Sequence, residues 1–118
     1  MMCVFKGYKN FTIVPPWHSK FVYAGGTRPR QEGENEDVVM PHNYSPVNFD
    51  SPDYERYPEF KKAKVYKVQL QAGDCLYLPG IWWHQVTSSP DECLAISNWY
   101  DSNSQFEGVV LDGIGFYD

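Results

Sequence analysis

Glycine and proline residues divide this chain of 118 residues into short segments in which apolar and polar side chains alternate. Alternation with a period of two is typical of β-strands that bury one face. In GDCLYLPGIWWHQV, Pro79-Gly80 favours a turn between strands predicted at residues 75–78 and 81–86. This pattern predicts an all-β fold with minor helix.

The opening segment CVFKGYKNFTIVPP predicts one strand, or two strands hinged at Gly7, ended by two prolines that cannot pair in a ladder. Its alternation places four residues on one face: Phe5, Lys9, Phe11 and Ile13. Further strands are predicted at residues 64–70 and 93–100. Antiparallel strands joined by tight turns suggest half of a jelly roll, an incomplete barrel formed by a single partial domain over residues 1–118.

Net charge and cysteine usage limit the partners and the compartment. A net charge of -5 gives no general attraction for nucleic acids, and three clustered lysines at 61, 62 and 64 are interpreted as a solvated face. The odd number of cysteines predicts reduced thiols, with Cys75 and Cys93 in the core. Because the sequence shows neither a membrane span nor a signal peptide, the predicted location is the cytoplasm or the nucleus.

Three segments lack a clear strand pattern. Residues 17–48 are rich in Gly, Pro, Asn and charge, and they predict an irregular insertion loop, the most mobile internal segment. In SPDYERYPEF, we expect a short helical turn capped by Ser51 and stopped by Pro58. The tail, residues 102–118, is assigned no firm element.

His84 is the residue that most needs an explanation. The alternation places it on the same strand face as Trp82 and Val86, which predicts a buried imidazole. A buried imidazole without a partner costs about 1–3 kcal/mol. Two interpretations satisfy it: a core histidine with a hydrogen bond, or a metal ligand.

Four segments in order, FKGYKNFTIVPP, VNFDSPDYERYPEF, AGDCLYLPGIWWHQV and ISNWYD, resemble the cupin-like JmjC family of Fe(II)- and 2-oxoglutarate-dependent hydroxylases. The resemblance covers about residues 4–101 and corresponds to the C-terminal half of such a domain. The pattern is most similar to the protein asparaginyl and lysyl hydroxylases of the family. It implies iron, a 2-oxoglutarate co-substrate and a protein side chain as the substrate.

The resemblance also implies roles for individual residues. His84 matches the distal histidine of the iron-binding triad, and Lys9 matches the lysine that binds the distal carboxylate of 2-oxoglutarate. Independently, a lysine on an apolar face is costly to bury without an anion, although an exposed edge lysine is the alternative. Ser97 stands where many relatives carry asparagine, and we interpret it and Trp99 as pocket-lining residues.

The chain departs from the family at the first two iron ligands. The family takes them from a His-X-Asp or His-X-Glu motif, whereas the three histidines here begin His-Ser-Lys, His-Asn-Tyr and His-Gln-Val. We therefore expect this chain to be part of a larger hydroxylase and inactive alone, with Fe(II) and 2-oxoglutarate both requiring an upstream half.

Two alternatives remain open: a catalytically inactive binding or regulatory module that pairs an exposed edge with another chain, as in a homodimer, and a cupin with a different ligand set. A nucleic-acid substrate is disfavoured by the acidic charge but stays open, and no membrane partner is expected.

Overall fold

The computed structural model describes residues 1–100, so the tail at 102–118 lies outside the described residues. The strands, in chain order, are β1 (Met2–Lys6), β2 (Tyr8–Val14), β3 (Thr27–Arg28), β4 (Val38–Val39), β5 (Tyr66–Gln71), β6 (Cys75–Leu76), β7 (Trp83–Ser88) and β8 (Leu94–Ser97). Two 3-10 helices span Pro16–Val22 and Pro58–Lys62. No helix within residues 1–100 has the length and apolar character needed to cross a bilayer.

Two antiparallel three-stranded sheets form the body of the fold. One has the order β6-β1-β8 and the other the order β5-β2-β7, and β3 pairs with β4 in a separate ribbon. Antiparallel sheets with little helix are consistent with a jelly roll, which confirms the predicted fold class.

Gly7 separates β1 from β2 and sends them into different sheets. Its φ of 73° lies in the left-handed region, which glycine adopts without steric cost. A Cβ atom there would lie 2.6 Å from the carbonyl oxygen of Glu92, so a side chain would also collide with backbone. The predicted hinge is confirmed, but placing Phe5 on the face of Phe11 was wrong, since Phe5 is exposed and Phe11 is buried.

Apolar side chains form two clusters on opposite faces of the β5-β2-β7 sheet. The inner cluster, between the two main sheets, is centred on Val4, Phe11 and Leu70. The outer cluster is formed largely by residues from the irregular segments, and its buried members are Val14, Val22, Val47, Phe49, Tyr57 and Phe60. Covering the outer face in this way buries a surface that a strand pattern alone would leave in water.

Residues 17–48, expected to be irregular, contain most of the first 3-10 helix and the β3–β4 ribbon. Both guanidinium nitrogens of Arg28 donate to the Glu34 carboxylate, at 2.8 and 2.7 Å. These bonds, together with the backbone N–H of Gln31, lower the pKa of Glu34 to about 2. Arg56 donates to Asp37 at 2.5 Å and lowers the pKa of that carboxyl. One ion pair therefore restrains residues 17–48 internally, and the other links them to the segment that contains Arg56.

The helical turn expected before Pro58 is confirmed, since the Tyr57 N–H donates to the Asp53 carbonyl at 2.8 Å. Asp53, not Ser51, accepts the backbone N–H groups of Glu55 and Arg56, both at 3.1 Å. Pro58 then starts the second 3-10 helix, because its fixed φ suits the first helical position.

The expectation of reduced thiols, with Cys75 in the core, was wrong. Cys3 and Cys75 form a disulfide, and Cys75 is exposed rather than in the core, while Cys93 is a half-buried free thiol. The pairing of β1 with β6 places Cys3 directly opposite Cys75 on the outward face of their sheet. Strand alternation alone does not reveal this register.

Breaking the disulfide should destabilise the fold substantially. Under oxidising conditions, Cys75→Ser opens a loop with a sequence separation of 72 residues. The chain-entropy model gives a loss of about 4 kcal/mol in the free energy of unfolding, measured by urea denaturation. Cys93→Ser, whose thiol makes a weak 3.6 Å contact with the Tyr8 carbonyl, is the control and should lose under about 1 kcal/mol. Equal losses in the two variants would contradict the Cys3–Cys75 pairing.

The Arg28–Glu34 pair should protect the neighbouring backbone from proteolysis. Glu34→Gln removes the charge and should speed trypsin cleavage after Arg30 about two- to fivefold. Glu36→Gln is the matched control and should change nothing. Because the folded pKa of Glu34 is depressed, the contribution of this pair is complete above the ordinary carboxyl pKa and is lost only as pH falls through about 2. A cleavage rate unaffected by Glu34→Gln would show that the pair does not restrain the loop.

Candidate functional site

Strand β2 is the centre of its sheet, and its register determines which residues face the space between the two main sheets. Ile13 lies opposite Tyr66 on one side and His84 on the other. Lys9 lies opposite Leu70 and Ser88 in the same way. Residues directly opposite in an antiparallel pair share a face. Because Phe11 and Leu70 belong to the inner cluster, Lys9 and His84 both lie on the inner face of the sheet.

His84 is exposed, so the expectation of a buried imidazole was wrong for the described residues. Strand β7 is the edge of its sheet, and the inner cluster ends at Val86, two residues further along. The imidazole Nδ1 lies 3.2 Å from the Trp82 carbonyl oxygen. The imidazole therefore has an open approach from the inner face.

Three of the predicted site residues meet at one cavity. His84, Ser97 and Trp99 line a space of about 390 Å³, together with Tyr77 and Leu78 from the segment before the Pro79-Gly80 turn. Ser97 lies opposite Met2, which packs against the inner cluster, so Ser97 also faces inward. Trp99 is 89% exposed and forms an outer wall.

Lys9 lies outside that cavity, deeper along the same inner face. It is half-buried, and its Nζ donates to the Ser88 hydroxyl at 2.8 Å. Ile13, the neighbour of His84, lies four positions after Lys9 on β2, a distance of about 13 Å. No carboxylate in residues 1–100 forms an ion pair with Lys9. Within residues 1–100, the hydroxyl of Ser88 is therefore the described partner of the Lys9 ammonium.

A larger cleft of about 710 Å³ adjoins His84 on its other side. One wall is the segment 80–85, and the opposite wall includes residues 42–45, Val47 and Phe49. His42 and His84 both line the cleft. The described residues nevertheless contain no group of three or more His, Cys, Asp or Glu side chains able to hold a metal ion. His84 alone does not make a metal site.

The side chain of Gln85 holds the two walls of this cleft together, a role that the sequence did not suggest. Its Oε1 accepts the Phe49 N–H at 2.8 Å, and its Nε2 donates to Asp50 at 2.9 Å and to Asn48 at 3.1 Å. The hydroxyl of Thr12, opposite Gln85 on β2, donates to Asp50 at 2.5 Å. Residues 48–50 are thereby fastened to the outer face of the strand that carries His84.

The two tryptophans before His84 have different neighbours. The Trp83 indole N–H donates to the buried Ser19 hydroxyl at 2.7 Å, and its ring packs against the outer cluster. Trp82 makes an edge contact with Trp17, with ring centroids 5.6 Å apart. Trp83 therefore fixes the strand by packing, while Trp82 belongs to an open group of rings.

Comparisons with known proteins agree with this arrangement. The family model described as a cupin-like domain matches residues 1–106. The human bifunctional peptidase and (3S)-lysyl hydroxylase JMJD7 is 32% identical over 110 residues, covering 86% of this chain and 34% of the relative. Human HSPB1-associated protein 1 is 31% identical, covering 92% of this chain and 20% of the relative. Mouse tRNA wybutosine-synthesizing protein 5 is 34% identical, covering 70% of this chain and 21% of the relative. The chain thus spans between 20% and 34% of the length of these relatives.

Removing the Gln85 amide should destabilise the cleft. Gln85→Leu leaves the Phe49 N–H and the Asp50 carboxylate without this partner, at a cost of about 1–3 kcal/mol in the free energy of unfolding. Gln69→Leu on the same sheet makes the same chemical change at an exposed site, where we expect less than about 0.5 kcal/mol. Urea denaturation measures both, and similar losses would contradict the role assigned to Gln85.

Proposed function

This chain belongs to the cupin-like domain family, and from that premise we propose that it forms the C-terminal half of an Fe(II)- and 2-oxoglutarate-dependent JmjC-type hydroxylase. The observation that carries the proposal is the position of His84. It lies on the inner face of an edge strand and lines a cavity with Ser97 and Trp99. An inward imidazole beside an unpaired sheet edge suits a metal ligand whose partner ligands come from an added strand.

In this proposal, His84 holds the iron and Lys9 holds the co-substrate. When bound, Fe(II) and 2-oxoglutarate supply the oxidising chemistry, which ordinary side chains lack. Lys9 provides a cation on the same inner face that forms no ion pair with a carboxylate of residues 1–100, and the 2-oxoglutarate carboxylate would complete a charge-assisted contact there. The Ser97 hydroxyl and the Trp99 ring would line the pocket beside His84.

The proposed substrate is a protein side chain, asparaginyl or lysyl. One relative, human JMJD7, is named as a (3S)-lysyl hydroxylase, which supports a protein substrate. The acidic net charge of this chain weighs against a nucleic acid. A binding or regulatory module without turnover is the second candidate, because the sequence contains no His-X-Asp or His-X-Glu motif. An intact mass of the native protein well above 13.7 kDa would favour the hydroxylase.

A chimera tests the two residue roles. Residues 1–106 would replace the aligned part of the human lysyl hydroxylase, and 2-oxoglutarate turnover would be followed as succinate. Chain 1–118 alone should show no turnover, because its sequence contains no His-X-Asp or His-X-Glu motif for the other two ligands. In the chimera, His84→Ala should abolish turnover and sharply weaken iron binding, and excess 2-oxoglutarate should not restore activity.

The Lys9→Ala chimera should fail differently. It should keep iron binding, but its apparent constant for 2-oxoglutarate should rise at least about tenfold, because one carboxylate loses its counter-charge. Lys6→Ala is the matched control, since the Lys6 ammonium pairs with Glu92 at the surface. Titration calorimetry with iron and then with 2-oxoglutarate separates the two effects. Unchanged iron affinity in His84→Ala, or unchanged co-substrate affinity in Lys9→Ala, would refute the corresponding role.

A further inference from the structure

Exposed aromatic rings form a continuous surface beside the cleft. Trp82 contacts Trp17 edge-on at 5.6 Å and Tyr66 in a tilted arrangement at 6.4 Å between ring centroids. Trp17 is 57% exposed and Tyr66 is 41% exposed. Contiguous exposed rings of this kind mark interaction sites more often than isolated apolar residues do.

Two lysines border these rings without acidic partners. The Lys64 ammonium lies 5.1 Å from the Tyr66 ring centroid, and the Lys20 ammonium lies 5.0 Å from that of Phe21. Neither lysine forms an ion pair within residues 1–100, whereas nearby Lys62 is neutralised by Glu59. We call these six residues the aromatic–lysine surface: Trp17, Lys20, Phe21, Lys64, Tyr66 and Trp82.

A hydrogen bond fixes the part of this surface on the first 3-10 helix relative to the part at Lys64 and Tyr66. The backbone N–H of Lys64 donates to His18 Nδ1 at 2.9 Å, which joins the first 3-10 helix to the segment before β5. The His18 ring also packs edge-on against Phe21 at 5.3 Å. A surface fixed before binding loses less conformational entropy when a ligand docks.

The aromatic–lysine surface is continuous with the cleft beside the proposed metal ligand His84. Trp82 belongs both to this surface and to the wall of the 710 Å³ cleft, which His84 also lines. A chain lying across Tyr66 and Trp17 could therefore place a side chain past Trp82 and beside His84. The surface is thus continuous with the candidate site.

We propose that the aromatic–lysine surface docks an acidic polypeptide segment that carries apolar or aromatic side chains, and so presents a neighbouring residue to the cleft. This inference rests on the proposed hydroxylase function. Carboxylates of the segment would meet Lys20 and Lys64, and its apolar side chains would cover the exposed rings. The proposed substrate is thereby narrowed from any protein side chain to a side chain that is flanked by an acidic segment with apolar residues.

A single-stranded nucleic acid would also offer flat rings and negative charge, but the charge of the whole chain opposes it. The chain has ten basic and fifteen acidic residues, so its net negative charge repels a long polyanion. A short peptide with few carboxylates depends mainly on the two local lysines, because salt screens charges beyond about 8–10 Å. The observations therefore favour the peptide.

The experiment uses the whole 118-residue chain and fluorescein-labelled peptides in fluorescence anisotropy, with EDTA present. One peptide combines Asp and Glu with Leu and Phe, a second replaces the acids with Asn and Gln, and a third probe is single-stranded oligouridine. The acidic peptide should bind about tenfold more tightly than its neutral counterpart and should weaken as salt rises. Equal affinity for the two peptides, no peptide binding, or tighter binding of oligouridine would overturn the proposal.

Charge reversal locates the site. Lys20→Glu combined with Lys64→Glu should weaken binding of the acidic peptide about tenfold or more. Lys67→Glu is the matched control: it lies on β5 next to Tyr66 but on the opposite face, and it should bind within about twofold of the parent. Circular dichroism confirms that the variants fold. An unaffected double variant, or a loss as large in Lys67→Glu, would place the site elsewhere.

Because docking is measured without metal, its outcome is independent of the turnover assay. Loss of turnover in the chimera with intact peptide docking would refute the hydroxylase role alone. Failure of docking in EDTA would refute the aromatic–lysine surface alone, whatever the chimera does.

Discussion

The pairing of β2 with strands on both sides is the constraint on which the candidate site depends. Six consecutive residue pairs join β2 to β5 and six join it to β7. A shift of one residue would move every side chain of a strand to the other face. The observed register places Lys9 and His84 on the inner face and Gln85 on the outer face. Buried Phe11 and Leu70 fix this choice, because a slip would expose them to water.

The outer cluster supports the site from the opposite side of the sheet. It buries side chains from segments that have little regular structure, including Val47, Phe49 and Tyr57. The Tyr57 hydroxyl donates to the Thr27 carbonyl at 2.7 Å, which extends this support to the β3–β4 ribbon. Phe49 lies in the outer cluster and lines the cleft, so the same packing that stabilises the irregular segment also shapes the wall opposite His84.

Local patterns predicted the strands well because alternation and turn residues are local signals. Gly7, with a φ of 73°, lies at the hinge predicted between the first two strands. The errors concern relations between distant segments. Nothing near Cys3 indicates that it lies opposite Cys75, and nothing near Gln85 indicates that its amide meets residues 48–50. The exposure of His84 depends on its strand being a sheet edge, which alternation cannot reveal.

Edge strands of the two sheets carry two of the polar side chains of the candidate site. Strands β7 and β8 are edge strands, and they carry His84 and Ser97 on inner faces that share one cavity. An edge offers free backbone hydrogen-bonding groups, so natural sheets cover it, charge it or pair it. Strand β8, with the sequence LAIS, carries no charge and no proline that would block pairing. A strand added beside β7 would place its inward side chains next to His84, at the spacing of neighbouring strands. Within residues 1–100, the edge of β7 and the exposed His84 imidazole therefore lie on the same strand, so that pairing of this edge and access to the imidazole would change together.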